Sequence, residues 1–178
     1  MEVAVARRFM GFELRASGNV PAPPGRVWAQ LLDRDRIPGW LEGIATVGGE
    51  GERVLVRREQ DPASIQGRVS DFDPRRRLAL RFAEPTSLLR EVRIEIALAD
   101  ADGGTDYDVR VHAEPRGVGS LLSPLLRFRS EVALVRAVGG FRAALDDGRE
   151  RERRSRSWLQ RGAAPLATPE ETRLAASG

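Results

Sequence analysis

The run Glu91-Val92-Arg93-Ile94-Glu95-Ile96-Ala97-Leu98, followed by Ala99-Asp100-Ala101-Asp102-Gly103-Gly104-Thr105 and then by Asp106-Tyr107-Asp108-Val109-Arg110-Val111-His112-Ala113-Glu114, decides the fold. Val92, Ile94, Ile96 and Leu98 alternate with charged or small residues, as do Tyr107, Val109, Val111 and Ala113. Side chains of a strand point alternately to its two faces, so each segment is a strand with one apolar face. The Asp/Gly-rich stretch 100–104 has the composition of a hairpin loop, which makes the pair antiparallel.

The same alternation extends in both directions. Phe9 to Val20 reads as a strand with Phe12, Leu14 and Ala16 on one face, stopped by Pro21, Pro23 and Pro24. Val27, Trp28, Leu31 and Leu32 have helical spacing, so a short helix is expected over Pro24–Asp33, with a second helical or turn segment over Asp35–Leu41 carrying Ile37, Pro38 and Trp40. Thr46–Val47, Arg53–Arg58, Gln66–Phe72 and Leu78–Ala83 complete six or seven strands joined by short turns, an antiparallel meander with one dry face.

A dry face needs a cover, and the C-terminal third supplies one. Ser123-Pro124 looks like an N-cap and first helical position, and a helix is expected from Pro124 to Asp147. Leu125, Phe128, Val132, Val135 and Gly139 recur at i+3 and i+4 as its inward stripe, broadened by Leu134, Val138, Phe141 and Leu145, with Arg127, Arg129 and Arg136 largely off it. Gly139-Gly140 costs the helix about 1 kcal/mol per glycine relative to alanine. The pair either packs closely or bends the helix, or it leaves room for a ligand. The fold class is therefore α+β, a helix-grip arrangement in which a curved sheet surrounds a long C-terminal helix.

Composition narrows the function. The chain has 178 residues, 41% of them apolar, enough for one domain with a substantial core. It has no cysteine, and all 29 basic residues are arginine, so thiolate nucleophiles, lysine Schiff bases and a phosphate-binding P-loop lysine are excluded. Residues 1–148 hold as many arginines as carboxylates, so the net charge of +3 resides in 149–178. Two parts are expected: a ligand-binding domain over 1–148, then an arginine-rich helix extension and disordered tail over 149–178. Segment 149–161 could touch an acidic surface weakly, but its interleaved glutamates argue against nucleic acid. No apolar run approaches a membrane span and Met1 to Arg8 lacks a signal-peptide core, so a cytoplasmic protein is expected.

The opening Gly18-Asn19-Val20-Pro21-Ala22-Pro23-Pro24-Gly25-Arg26-Val27-Trp28, with Leu32-Asp33 and Ile37-Pro38-Gly39-Trp40, resembles that of the START-like (SRPBCC) superfamily, in particular its polyketide cyclase/dehydrase and lipid-transport family. So do Val109 to Gly117 and Leu121 to Leu126, which look like the family's last strand, loop and helix entry. The resemblance covers about residues 9–147. It implies the helix-grip fold and the binding of lipids, quinones, hormones or polyketides, with cyclisation or dehydration in a minority of members. It transfers no catalytic motif.

The expected lining of a cavity between sheet and helix is Phe12, Leu14, Leu80, Phe82, Ile94, Ile96, Tyr107, Val109, Phe128, Val132, Val135 and Gly139, with Trp28 and Trp40 at its mouth or in structural packing. Tyr107, the only tyrosine, is the one candidate for catalysis; its hydroxyl either orients a polar group of the ligand or meets water at the sheet edge. His112 lies on the outward face and is expected to be solvated. A lone strand histidine suggests neither a metal site nor a catalytic triad, and neither a metal nor a cofactor is expected. The expected partner is a small apolar molecule. Two other readings stay open: an aromatase/cyclase-like enzyme, and an interaction module acting through 149–161.

Overall fold

Alternation does become strands, and turn chemistry joins them. The computed structural model describes residues 11–162, except for the side chains of residues 62 and 149–162. Strand β1 (Phe12–Val20) leads through Pro21-Ala22-Pro23 into α1 (Pro24–Leu32), which has proline at its first position, where no N–H is needed. A single 3-10 turn at Ile37–Gly39 precedes β2 (Ile44–Gly48), β3 (Arg53–Arg58), β4 (Asp61–Asp73), β5 (Arg77–Thr86), β6 (Leu89–Ala101) and β7 (Gly104–Pro115). A short α2 (Val118–Leu121) turns the chain into α3 (Ser123–Gly162). The strands form one antiparallel sheet in the order β1-β7-β6-β5-β4-β3-β2.

The register shows which residues share the face turned toward α3. Val20, Leu14 and Phe12 lie opposite Thr105, Val111 and Ala113; Ile94 and Ile96 lie opposite Val111 and Val109; and Leu78, Leu80 and Phe82 lie opposite Ile96, Ile94 and Val92. Register shifts interrupt five of the six strand pairs, including Val69/Asp71 and Ala83/Thr86. A bulge bends its strand, and here bulges supply the curvature that wraps the sheet. At the second of these shifts Glu84 takes φ +49°, a left-handed conformation.

The outward face is polar and laced with ion pairs. The Arg15 Nε–H donates to Asp108 Oδ1 at 2.6 Å, and Arg110 reaches Oδ2 at 3.0 Å. The hydrogen bond from Arg15, only partly opposed by burial and helped by Arg110, holds the Asp108 carboxyl below its ordinary range. A lowered carboxyl value stabilises the fold above the unfolded value, about pH 4, and is lost as pH falls through the folded value. Asp108→Asn is therefore expected to lower the melting temperature slightly at pH 7 and not at all in strong acid, as thermal scans across pH would show.

Helix α3 presents a different face to the sheet from the one its strongest periodicity suggests. Leu126, Leu134 and Phe141 pack into the core, Leu145 is 3% exposed, and Ser130 and Ala137 are half-buried on the same side. Leu125, Phe128 and Val135 point away, at 54%, 64% and 67% exposed. The expected stripe through Phe128, Val135 and Gly139 is thus corrected by about one residue of helical rotation. Large residues therefore lie on both sides of the helix, and Ser130 and Ala137 are the small ones on the side that meets the domain.

The two glycines of α3 differ in role. A Cβ on Gly140 would run into the carbonyl oxygen of Trp40, so close packing against the 3-10 turn excludes a side chain there. Gly139 is exposed, and a Cβ on it would meet nothing. Gly139→Ala should stabilise by about 1 kcal/mol, raising the melting temperature by about 2–4 °C. Gly140→Ala should instead lower it, because backbone cannot move aside as a side chain can.

The protein divides into two compact units at Leu145/Asp146. The second contains the rest of α3, through Gly162; the tail expected to be disordered lies, from residue 163, outside the described residues. Among the described residues no helix is long and apolar enough to cross a membrane.

Candidate ligand-binding site

The interior of the first unit is built from two separate clusters. One holds Val20, Ala22, Val27, Trp28, Leu78, Leu98 and Leu145, with Leu80, Ile96, Tyr107 and Phe141 packed on it. The other holds Phe12, Leu14 and Ala113, with Leu89, Val92, Val111, Leu126 and Leu134. Ala16, Ile94 and Val109 face inward between them and belong to neither cluster as described. These three are half-buried, as are Leu80, Ile96 and Tyr107, although they lie on β1 and on the inner strands β5, β6 and β7. A filled interior gives one contiguous core whose central side chains are out of reach of water. Here the side chains between the two clusters keep part of their surface open, as the expected hollow between the sheet and α3 would require.

The expected lining divides accordingly. Leu80, Ile94, Ile96, Tyr107 and Val109 are half-buried on the inward face of the sheet, while Val132, also half-buried, lies on the outer side of α3 with Phe128 and Val135. Phe12 and Leu14 are buried in the second cluster, at 7% and 6% exposed. Phe82 is equally buried; its ring lies over Gly67, where a Cβ would come within 2.5 Å of it. Trp28 belongs to the core, its ring 5.6 Å from that of Phe72. Phe128, Val135 and Gly139 are exposed on the opposite side of α3 and are removed from the lining, for the rotational reason above.

Tyr107 and Trp40 each carry a polar atom for which no hydrogen bond is found among the described residues, as does Arg58 at its buried Nε. Tyr107 extends over Gly18, where a Cβ would lie 2.8 Å from its hydroxyl, so the missing side chain makes room for the phenol. No hydrogen bond to that hydroxyl is found among the described residues. Trp40 stacks edge-on against Phe141 at 5.1 Å, and its buried Nε1–H lacks a hydrogen-bond partner. A buried donor without a partner costs about 1–3 kcal/mol, a cost that an acceptor brought by a ligand would remove. Sequence reasoning named Tyr107 for its hydroxyl and Trp40 for its ring area with one donor, and missed Gly18, whose only signal was a glycine inside a strand.

Other concavities lie on the outward face. A trough of about 940 Å³ is lined by Arg53, Arg68 and Arg81 together with Leu55, Ile65 and Ala83, a mixed wall, and one of about 490 Å³ by Glu13, Arg93, Glu95, Arg110 and His112. The charged walls of the second suit no apolar molecule. His112 is on this face, as alternation requires, but half-buried rather than solvated. Among the described residues no group of three or more histidine and carboxylate side chains could hold a metal ion.

Residues 12–151 match the family described as polyketide cyclase / dehydrase and lipid transport. The chain belongs to this family. Its membership of the START-like superfamily agrees with the solved structures it resembles. The Zhui aromatase/cyclase from Streptomyces sp. R1128 superposes with a TM-score of 0.63 at 18% identity, over 76% of this chain and 94% of that one. TTHA0849 from Thermus thermophilus gives 0.62 at 17%, over 77% and 99%. The di-domain ARO/CYC StfQ from the steffimycin biosynthetic pathway gives 0.65 at 11%, over 81% of this chain and 53% of that one. At such identities the likeness carries the helix-grip fold and nothing finer. No curated protein matches the chain.

Proposed function

We propose that this polyketide cyclase / lipid transport family member binds a small apolar molecule, a lipid, quinone or polyketide-like compound, between its sheet and α3. The observation that carries this reading is the row of inward yet incompletely covered side chains, Leu80, Ile94, Ile96, Tyr107 and Val109, between two separate core clusters. Ligand sites are concave and mostly apolar, with a few placed polar groups; Tyr107 and Trp40 supply those groups. A cytoplasmic location is part of this proposal, supported by the lack of cysteine.

The test is a native mass-spectrometry and thermal-shift screen with fatty acids, quinones and aromatic polyketides. A ligand at a hundred times its dissociation constant stabilises by about 2.7 kcal/mol, a rise in melting temperature that is easily read. Failure of every class to bind removes the proposal.

A second reading, an aromatase/cyclase-like enzyme, is supported by the Tyr107 hydroxyl beside Gly18. In a dry pocket such a donor could polarise a substrate carbonyl. If Tyr107→Phe turns over an accepted substrate at an unchanged rate, Tyr107 has no catalytic role.

A further inference from the structure

The outer face of α3 is apolar, and the described residues of the first unit do not cover it. Leu125, Phe128, Val132 and Val135 fall within about 80° of arc at 3.6 residues per turn, and all but the half-buried Val132 are exposed. The corner that leads into this face adds Val118 at 63% and Leu121 at 83% exposed, with Leu122 at 39%. Contiguous large side chains in water mark a contact surface, whereas single exposed ones do not.

The charges beside the stripe identify the partner. Arg129 and Arg136 on one side and Arg142 on the other flank it and are exposed, with Arg127, also exposed, about 80° beyond Val135 near the start of the helix, against Glu131 on the helix and Glu42, which meets Arg136 at 3.1 Å. Arg142 donates to the carbonyl of Asn19 at 2.9 Å, while Arg127 and Arg129 make no ion pair among the described residues. From Gly117 to Ser130 these two are the only charged residues. A second copy of the chain would bring the same arginine excess to the seam, with Arg129 and Arg136 on one flank facing their own kind. A surface both apolar and negatively charged satisfies stripe and flanks together.

We propose that α2 and the outer face of α3 up to Val135 dock on an anionic lipid bilayer, with Val118, Leu121, Leu125 and Phe128 entering the acyl boundary and Arg127 and Arg129 meeting the headgroups. Amphipathic helices of this kind lie in the interface plane, and their affinity scales with buried apolar area plus attraction to anionic lipid. The proposal does not depend on what fills the hollow.

The test is flotation of the full chain with vesicles of phosphatidylglycerol and phosphatidylcholine in equal parts, beside vesicles of phosphatidylcholine alone. The expected result is binding to the mixed vesicles, at least tenfold weaker on the neutral ones, and weakening with added salt. L121D/F128D, at exposed positions, should keep the wild-type melting temperature and lose at least tenfold in vesicle affinity. R127E/R129E should lose the preference for anionic lipid. The proposal is overturned if wild type floats with neither vesicle. It is also overturned if L121D/F128D binds as wild type does, which would assign binding to the arginine-rich segment 149–161. A concentration-dependent dimer in light scattering that L121D/F128D abolishes would assign the face to a second copy instead.

Discussion

Val109→Trp is expected to abolish binding of the apolar ligand, at least tenfold in affinity, while leaving the melting temperature within a few degrees of wild type. Val109 faces α3 from β7, is half-buried, and lies between the two core clusters without being counted in either. The binding proposal requires the space beside it to be unfilled, so that an indole placed there competes with the ligand and not with neighbouring side chains. The control is Leu78→Trp. Leu78 is 6% exposed inside the first cluster, where overpacking costs about 1–3 kcal/mol. Comparable destabilisation by the two substitutions would mean that the interior is solid at Val109, and the binding proposal would fall with it.

Trp28→Ala is the complementary case, a large loss of stability away from the hollow. Trp28 is 7% exposed on α1, packed with Val27, Leu78, Leu98 and Leu145 and against the ring of Phe72. Truncating a buried tryptophan costs about 3–5 kcal/mol, which for a chain of this length lowers the melting temperature by about 10 °C. Chemical denaturation should show the loss as a lower midpoint with an unchanged slope. A change below about 1 kcal/mol would show that α1 is not part of the cooperative core. Phe72→Ala, at a ring 50% exposed, should cost much less.

The strands were legible because their faces differ in chemistry. In β6 and β7 every inward position is apolar or aromatic from Val92 to Leu98 and from Tyr107 to Ala113, so the two faces could be told apart without coordinates. The bulges were not legible, since an extra residue at Val69/Asp71 or Ala83/Thr86 leaves the composition of the strand unchanged.

The orientation of α3 was misread for a physical reason. Leu125, Phe128, Val132 and Val135 make a stronger amphipathic signal than Leu126, Ser130, Leu134 and Ala137, yet the weaker set faces the domain. The inner side also carries Phe141 and Leu145 further along, but Ser130 and Ala137 interrupt it and weaken its periodic signal. Periodicity finds the greasiest stripe of a helix and does not say which neighbour that stripe serves. The close approach of Gly140 to Trp40 was invisible for a related reason: it joins residues a hundred positions apart.

The placement of β1 beside β7 has a consequence for how the protein is made. Phe12 pairs with Ala113, so the first strand has no hydrogen-bonding neighbour until the last has left the ribosome. At the usual pace of translation that interval is on the order of 10 s. Through it β1 must wait unpartnered, with Phe12 and Leu14 open to chaperones and to other chains.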